Sequence, residues 1–275
     1  MSPTDRDEDI ARRLPSPNEQ YLSITIHYNS VLARRRFFVD DIRGGTVELR
    51  GDDARHLTRV LRVEAGQRFE ISDNRAAFLA EVAEARGDRV VFRVIEPVES
   101  AAAPVRITLI AAIVKFDRFE WMVEKATELG VERILPIEAT RTERGLFEAS
   151  RKRAERWRRI ARESSQQARR ASVPEILPSV RYEACLTEDA GYRYFMEEAS
   201  APPLLSILPQ VRIPADHVAL LLGPEGGWTD SERRLAAGAG WLPASLGPLI
   251  LRAETAAAAA LAVVGNAWMA PKSLQ

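Results

Sequence analysis

Cysteine is nearly absent from this 275-residue chain: Cys185 is the only one. That excludes an intrachain disulfide and every multi-cysteine zinc site, and it fits a reducing, cytoplasmic compartment. Histidine is almost as scarce. His27, His56 and His217 are scattered along the chain, so neither a histidine-based triad nor a metal site is expected. Net charge is missing too, because 39 basic residues balance 39 acidic ones. No global positive field pulls the protein onto nucleic acid, and any such attraction must come from a local patch. Long apolar runs are lacking. No uncharged stretch exceeds 17 residues, and one that reaches this length, Thr255–Pro271, is nearly half alanine. It is too short and too weakly apolar to span a bilayer, so no membrane partner is expected. The N-terminus has no apolar core behind a basic start, hence no secretory signal is read. No Walker-type glycine-lysine loop, paired-histidine zinc motif or EF-hand loop occurs, and no strand is followed by G-x-G-x-x-G.

What is present describes a globular protein. The chain is 46% hydrophobic and 28% charged, which excludes wholesale disorder. Residues 1–33 read as an N-terminal extension, rich in charge and proline, although Leu22, Ile24 and Ile26 alternate as in a short strand. Residues 34–100 read as a small β-barrel. Short runs such as Phe37-Phe38-Val39, Thr46–Leu49, Arg68–Ile71, Ala77–Val82 and Arg89–Ile95 are separated by glycine and Asp-Asn turns. One helix interrupts them, with Asp52 or Asp53 as cap and Ala54, Leu57, Val60 and Leu61 on one face.

Residues 101–275 alternate strand and helix, which predicts an α/β domain with a parallel sheet. Strands are expected at Val105–Val114, Val131–Ile137, Val218–Leu222 and Ala244–Leu246. Helices are expected from Phe119 to Leu129, over 151–171, from Thr229 with its capping-box Glu232 through Ala239, and over Glu254–Trp268.

Two loops carry the chemistry. Leu222-Gly223-Pro224-Glu225-Gly226-Gly227 leaves a buried strand and enters a capped helix. Leu246-Gly247-Pro248-Leu249-Ile250-Leu251-Arg252-Ala253-Glu254-Thr255 again runs from a strand through a Gly-Pro turn into a helix. Glycines let backbone approach a ligand, and two such loops at strand carboxyl ends can line one crevice. Leu249, Ile250 and Leu251 could enclose a flat heterocycle.

These two segments resemble the ribosomal RNA small subunit methyltransferase E family, of the SPOUT superfamily. Lys115, the Phe119–Val131 stretch, Pro136, Arg141, Gln167, Arg170 and Val173-Pro174-Glu175-Ile176 fit the same pattern, as do Arg36-Phe37 and His56 with Arg59-Val60-Leu61-Arg62. The resemblance spans about Arg34 to Trp268. It implies a PUA-like β-barrel followed by a SPOUT α/β domain with a C-terminal trefoil knot. It implies S-adenosylmethionine as cofactor, a homodimer, and methylation of N3 of a uridine in 16S ribosomal RNA of the small ribosomal subunit. Methylation of another RNA such as transfer RNA, or a non-catalytic RNA-binding assembly factor, are the competing expectations. Carried over by position, Leu222, Gly223, Pro224, Glu225, Gly226 and Gly227 form one wall of the cofactor site. Leu246, Gly247, Ile250, Leu251 and Thr255 form the other. Arg252 would orient the base or a phosphate. Glu254 would accept a proton or fix Arg252, unless it only favours the start of the last helix.

RNA requires cations. Residues 151–170 hold nine (Arg151, Lys152, Arg153, Arg156, Arg158, Arg159, Arg162, Arg169, Arg170) against two acids, so 9 − 2 = +7. A charged run is often a solvated helix face, yet this density exceeds what solubility requires, and phosphate contact is the favoured reading. Arg36, Arg59, Arg62, Lys115, Arg141, Arg156, Arg159, Arg162 and Arg170 are therefore the expected RNA-binding residues.

Overall fold

The computed structural model describes residues 36–40, 42, 44–100, 103–198 and 201–270. The alternation at Leu22, Ile24 and Ile26 lies outside them.

The first unit is a curled β half-barrel. Its elements are β1 (Arg36–Phe38), β2 (Thr46–Arg50), a short helix α1 (Gly51–Arg55), β3 (Arg68–Ser72), β4 (Ala77–Arg86) and β5 (Arg89–Val98). The order across the sheet is β1-β3-β4-β5-β2; β1 lies parallel to β3 and the other pairs are antiparallel. Register shifts in β4 at Leu79/Ala80 and Val82/Glu84 bend the sheet, as bulges do. Phe37, Phe69 and Phe92 meet edge to face inside it, with centroids 6.0 and 6.2 Å apart.

The helix of this unit departs from expectation. α1 is preceded by Arg50 with no side-chain cap, and it continues as a π-helical turn over His56–Val60. The wider turn rotates Val60 and Leu61 away from the core, leaving them exposed while Ala54 and Leu57 stay buried.

The second unit is a parallel α/β layer structure. It comprises β6 (Arg106–Ala112), α2 (Phe116–Glu128), β7 (Arg133–Glu138), α3 (Leu146–Gln167), β8 (Glu175–Ile176), β9 (Val180–Arg181) and α4 (Tyr182–Cys185). It continues with β10 (Tyr192–Met196), α5 (Leu204–Ile207), β11 (His217–Leu222), α6 (Asp230–Gly238), β12 (Leu242–Ala244) and α7 (Ala253–Met269). The sheet order is β12-β10-β11-β6-β7-β8, with β9 also pairing β7. In β11, Val218, Leu220 and Leu222 face one core with α2, α3 and α7; Ala219 and Leu221 face another with Trp228, Ala236 and Trp241. Burial on both faces is why this strand reads as a continuous apolar run.

α6 opens with the expected capping box: Thr229 accepts from the Glu232 amide and Glu232 from the Thr229 amide. On α3 the narrow stripe is buried at Trp157, Ala161 and Ser164, while Ala168 lies past the helix and is exposed. β10 has no counterpart in the sequence reading. It is a central strand, and the chain returns past it to lay β12 on its far side.

Candidate active site at the carboxyl ends of the central strands

The loops leaving β10, β11 and β12 converge on a cleft of about 290 Å³. This is the crevice position that open parallel sheets use for ligands. Leu222, Gly223, Pro224, Glu225 and Gly227 line one side. Leu246, Gly247, Leu249, Ile250, Leu251 and Arg252 line the other. Leu249 and Ile250 are 79% and 82% exposed, so an apolar rim stands open above the floor.

Local geometry explains the glycines. Gly227 has φ +68, a left-handed conformation that side chains resist. A Cβ on Gly223 would lie 2.9 Å from the Trp228 indole. That indole is buried, stacks on Phe195 at 4.8 Å and donates from Nε1 to the Met196 carbonyl at 2.9 Å. The loop from β11 and the end of β10 are thereby locked together.

Two expected cofactor residues stand off the cleft wall. Gly226 is covered by Arg141, whose stem would lie 3.1 Å from an added Cβ and whose Nη1 donates to the Gly226 carbonyl at 2.7 Å. Thr255 sits on an exposed position of α7. Among the catalytic candidates, Arg252 lines the cleft. Glu254 does not; it is buried, and its Oε2 has no hydrogen-bond partner among the described residues.

Sequence reasoning missed Arg118, Met196, Glu197 and Glu198, all of which line the cleft. Arg118 comes from the first turn of α2 and pairs with Glu225 at 3.1 Å. Glu197 is gripped by Arg233 at 2.6 and 3.1 Å. The alternating Tyr-Arg-Tyr-Phe-Met of β10 was the available signal, since a parallel strand delivers the residues after it to the crevice.

Beside the cleft, Glu232 is buried and accepts from the Thr140 and Thr229 amides, each at 2.8 Å. Burial opposes its ionisation, but these donors outweigh burial and hold its pKa below the usual value.

The expected RNA-binding residues separate. Arg59 and Arg62 are exposed on the half-barrel, Lys115 just before α2, and Arg159 on α3. Arg156 is half-exposed and pairs with Glu120 at 2.7 Å. Arg162 is drawn to Asp53. Arg36 and Arg170 are corrected. Arg36 is 3% exposed and donates to Glu70 at 2.9 and 3.1 Å. Arg170 donates to the carbonyls of Thr127 (2.6 Å), Val131 (2.7 Å) and Ser172 (3.1 Å). Burial lowers its pKa to about 10. Both guanidiniums are held by the protein itself, because a cation withdrawn wholly or partly from water must find its partners there.

Among the described residues, no group of three or more candidate metal ligands occurs, and no helix is long and apolar enough to cross a membrane.

Comparison with known proteins agrees with this architecture. An RNA methyltransferase domain family matches residues 101–265, and an RNA methyltransferase PUA domain family matches residues 49–95. Fold and cleft thus define an RNA methyltransferase with an N-terminal PUA-like half-barrel. The chain is 32% identical to ribosomal RNA small subunit methyltransferase E of Synechocystis, over 91% of this chain and 81% of that protein. It is 28% identical to the Bacillus subtilis protein of that name, over 80% of this chain and 89% of that one. The Neisseria gonorrhoeae enzyme of the same name, solved bound to S-adenosyl methionine, superposes with a TM-score of 0.77 at 30% identity, covering 85% of this chain and 98% of its own. A Legionella pneumophila methyltransferase in complex with the same cofactor gives 0.76 at 30% identity, covering 84% and 97%. The chain belongs to the ribosomal RNA small subunit methyltransferase E family.

Proposed function

We propose that this protein transfers a methyl group from S-adenosylmethionine to N3 of a uridine in 16S ribosomal RNA, acting as a homodimer. The observation that carries the reading is the cleft, whose walls match the parts of that cofactor. Leu222, Leu246, Leu249, Ile250 and Leu251 offer apolar surface for a flat purine. Glu197 and Glu198 supply acceptors for ribose hydroxyls or an ammonium group, and Arg118 a cation for a carboxylate.

When bound, the cofactor supplies an electrophilic methyl carbon on a sulfonium. The protein's task is then to align the uridine nitrogen with that carbon, and positioning of this kind can contribute ~7–11 kcal/mol. N3 of uracil must also lose its proton, which passes to solvent water once the resulting anion is stabilised. Arg252, exposed on the cleft wall, is the group we assign to orient the base and to stabilise its anion. Glu254 is buried off the wall, so we assign it a supporting role in the Arg252–Thr255 turn rather than contact with the base.

The exposed apolar rim at Leu249 and Ile250 supports a second copy closing over the cleft. The pairing of Ser245 with Pro202–Leu204 supports the trefoil threading implied by the family: the Leu204 amide donates to the Ser245 carbonyl at 2.8 Å, and the Ser245 amide to the Pro202 carbonyl at 2.9 Å. In this reading residues 34–100 grip the RNA, residues 101–275 carry the transfer, and residues 1–33 are an extension.

The test is transfer from isotopically labelled S-adenosylmethionine to small subunits lacking the modification, followed by nucleoside mass spectrometry. Labelled 3-methyluridine in 16S RNA is expected. Label only in transfer RNA, label at another atom, or cofactor binding without transfer would each overturn the reading.

A further inference from the structure

The end of α3 reaches across to the half-barrel and grips two of its carboxylates. Asp53, one of the two residues expected to cap α1, does not cap it. Its Oδ2 instead accepts from Arg162 Nε at 3.2 Å, Arg162 Nη2 at 3.1 Å and Gln166 Nε2 at 3.0 Å. Arg162 Nη2 also donates to the Phe38 carbonyl at 2.6 Å, and its guanidinium lies 5.6 Å from the Phe38 ring centre. A few residues further on, Glu70 of β3 accepts from Arg36 and, at 3.3 Å, from Arg169 Nε. The seam continues: Ser72 Oγ donates to the Ala171 carbonyl at 2.6 Å, and the Val173 amide to Asn74 Oδ1 at 2.9 Å.

Arg36, Glu70 and Gln166 are 3%, 4% and 3% exposed. Polar groups so deeply buried add little net stability, but they penalise every arrangement that leaves them unpaired. A seam of this kind selects one relative orientation of the two units. The loop before this helix reaches the glycine loop beside the cleft. α3 has 22 residues, about 33 Å of rigid rod. It follows the loop whose Arg141 holds the Gly226 carbonyl.

We propose that Asp53, Arg162 and Gln166, with Glu70 and Arg169, are positioning residues that set the register between the half-barrel and the methyl-transfer cleft. RNA held on the barrel is thereby presented to the cleft at one fixed distance and angle. The proposal rests on the reading that the protein methylates RNA gripped by the barrel. It gives Arg162 a role other than neutralising phosphate.

The experiment compares full-length wild type with Asp53→Asn, Arg162→Gln and the double variant. Asp53→Asn keeps the shape and removes the charge; Arg162→Gln provides a second, independent opening of the same joint. S-adenosylmethionine affinity is measured by calorimetry, domain spacing by small-angle scattering, and methyl transfer to small-subunit RNA by kcat and KM, all well below the unfolding midpoint. Each single variant is expected to lower kcat/KM at least tenfold and to broaden the scattering distribution, with cofactor affinity within twofold of wild type. The double variant should be no worse than either single one, because both break one joint. Asp53→Glu should restore part of the rate. Folded variants with wild-type kinetics and scattering would overturn the proposal. So would additive losses with unchanged scattering, which would mean that Arg162 contacts the RNA itself. An inactive wild type that still binds cofactor would instead bring down the methylation reading, and the joint's proposed role with it.

Discussion

Arg141 reaches from the loop after β7 to the glycine loop after β11, where its Nη1 donates to the Gly226 carbonyl at 2.7 Å. The same loop is tied a second time, by the Thr140 amide to Glu232 Oε1 at 2.8 Å. The wall of the cleft is therefore held from outside by residues that do not line it. Arg141→Met would keep the stem over Gly226 and remove the donor. A hydrogen bond from a charged group is worth ~1.5–3 kcal/mol, and exposure reduces this to about 1 kcal/mol, or roughly fivefold weaker cofactor binding. Calorimetry checks the loss. The salt dependence of RNA binding should stay at the wild-type slope, which separates this role from phosphate contact.

Gly223→Ala should act through Trp228. The added Cβ would sit 2.9 Å from the indole, which cannot retreat because it stacks on Phe195 and donates to Met196. Overpacking of this kind costs ~1–3 kcal/mol. Both the urea midpoint and the cofactor affinity should fall, and an alanine variant binding cofactor as wild type does would refute the account.

Arg170→Met should destabilise the fold without touching the cleft. It removes the Arg170 donor from the Val131 carbonyl and leaves the Thr127 carbonyl only the Gly130 amide, at a cost of about 1–3 kcal/mol. Denaturant titration should show the loss, while cofactor affinity in the folded variant stays unchanged.

Arg59, Arg62 and Arg159 are among the exposed cations of the barrel and of α3. Changing all three to glutamine should weaken RNA binding for every sequence tested. It should also reduce the slope of log affinity against log salt, by ~0.7–0.9 per phosphate lost. Binding isotherms at three salt concentrations measure this. An unchanged slope would move the RNA footprint elsewhere.

Alkali should unfold the protein early. Burial pushes the Cys185 thiol from 9.0 up to about 12 and the Tyr194 phenol from 10.0 to about 12, and it raises Tyr182 as well. These groups stay protonated in the folded state after the unfolded chain has begun to lose its protons. Their contribution is therefore complete below pH 9 and is lost as pH rises toward 12. The urea midpoint should fall between pH 9 and 12, and Cys185 should resist thiol reagents at pH 8 until the protein is unfolded. Rapid labelling of the native protein would contradict this.

Local chemistry alone determined much of this molecule. Thr229 and Glu232 cap α6 as read, because a capping box is closed within four residues. The glycine loops and the apolar run of β11 were legible because backbone freedom and two-sided burial leave marks in composition. The cleft needed more. Met196, Glu197 and Glu198 enter it only because β10 lies between β11 and β12, a neighbour relation set by sheet order. The fate of the arginines was likewise undecided by sequence, since a guanidinium looks the same facing water, Glu70 or a carbonyl. Burial sorts them: Arg36 is enclosed and Arg170 half-buried, both satisfied by the protein, Arg162 is drawn to Asp53 across the seam, and Arg59, Arg62 and Arg159 remain exposed. Hydrogen-bond partners far apart in the chain are a property of packing, and only the folded structure decides them.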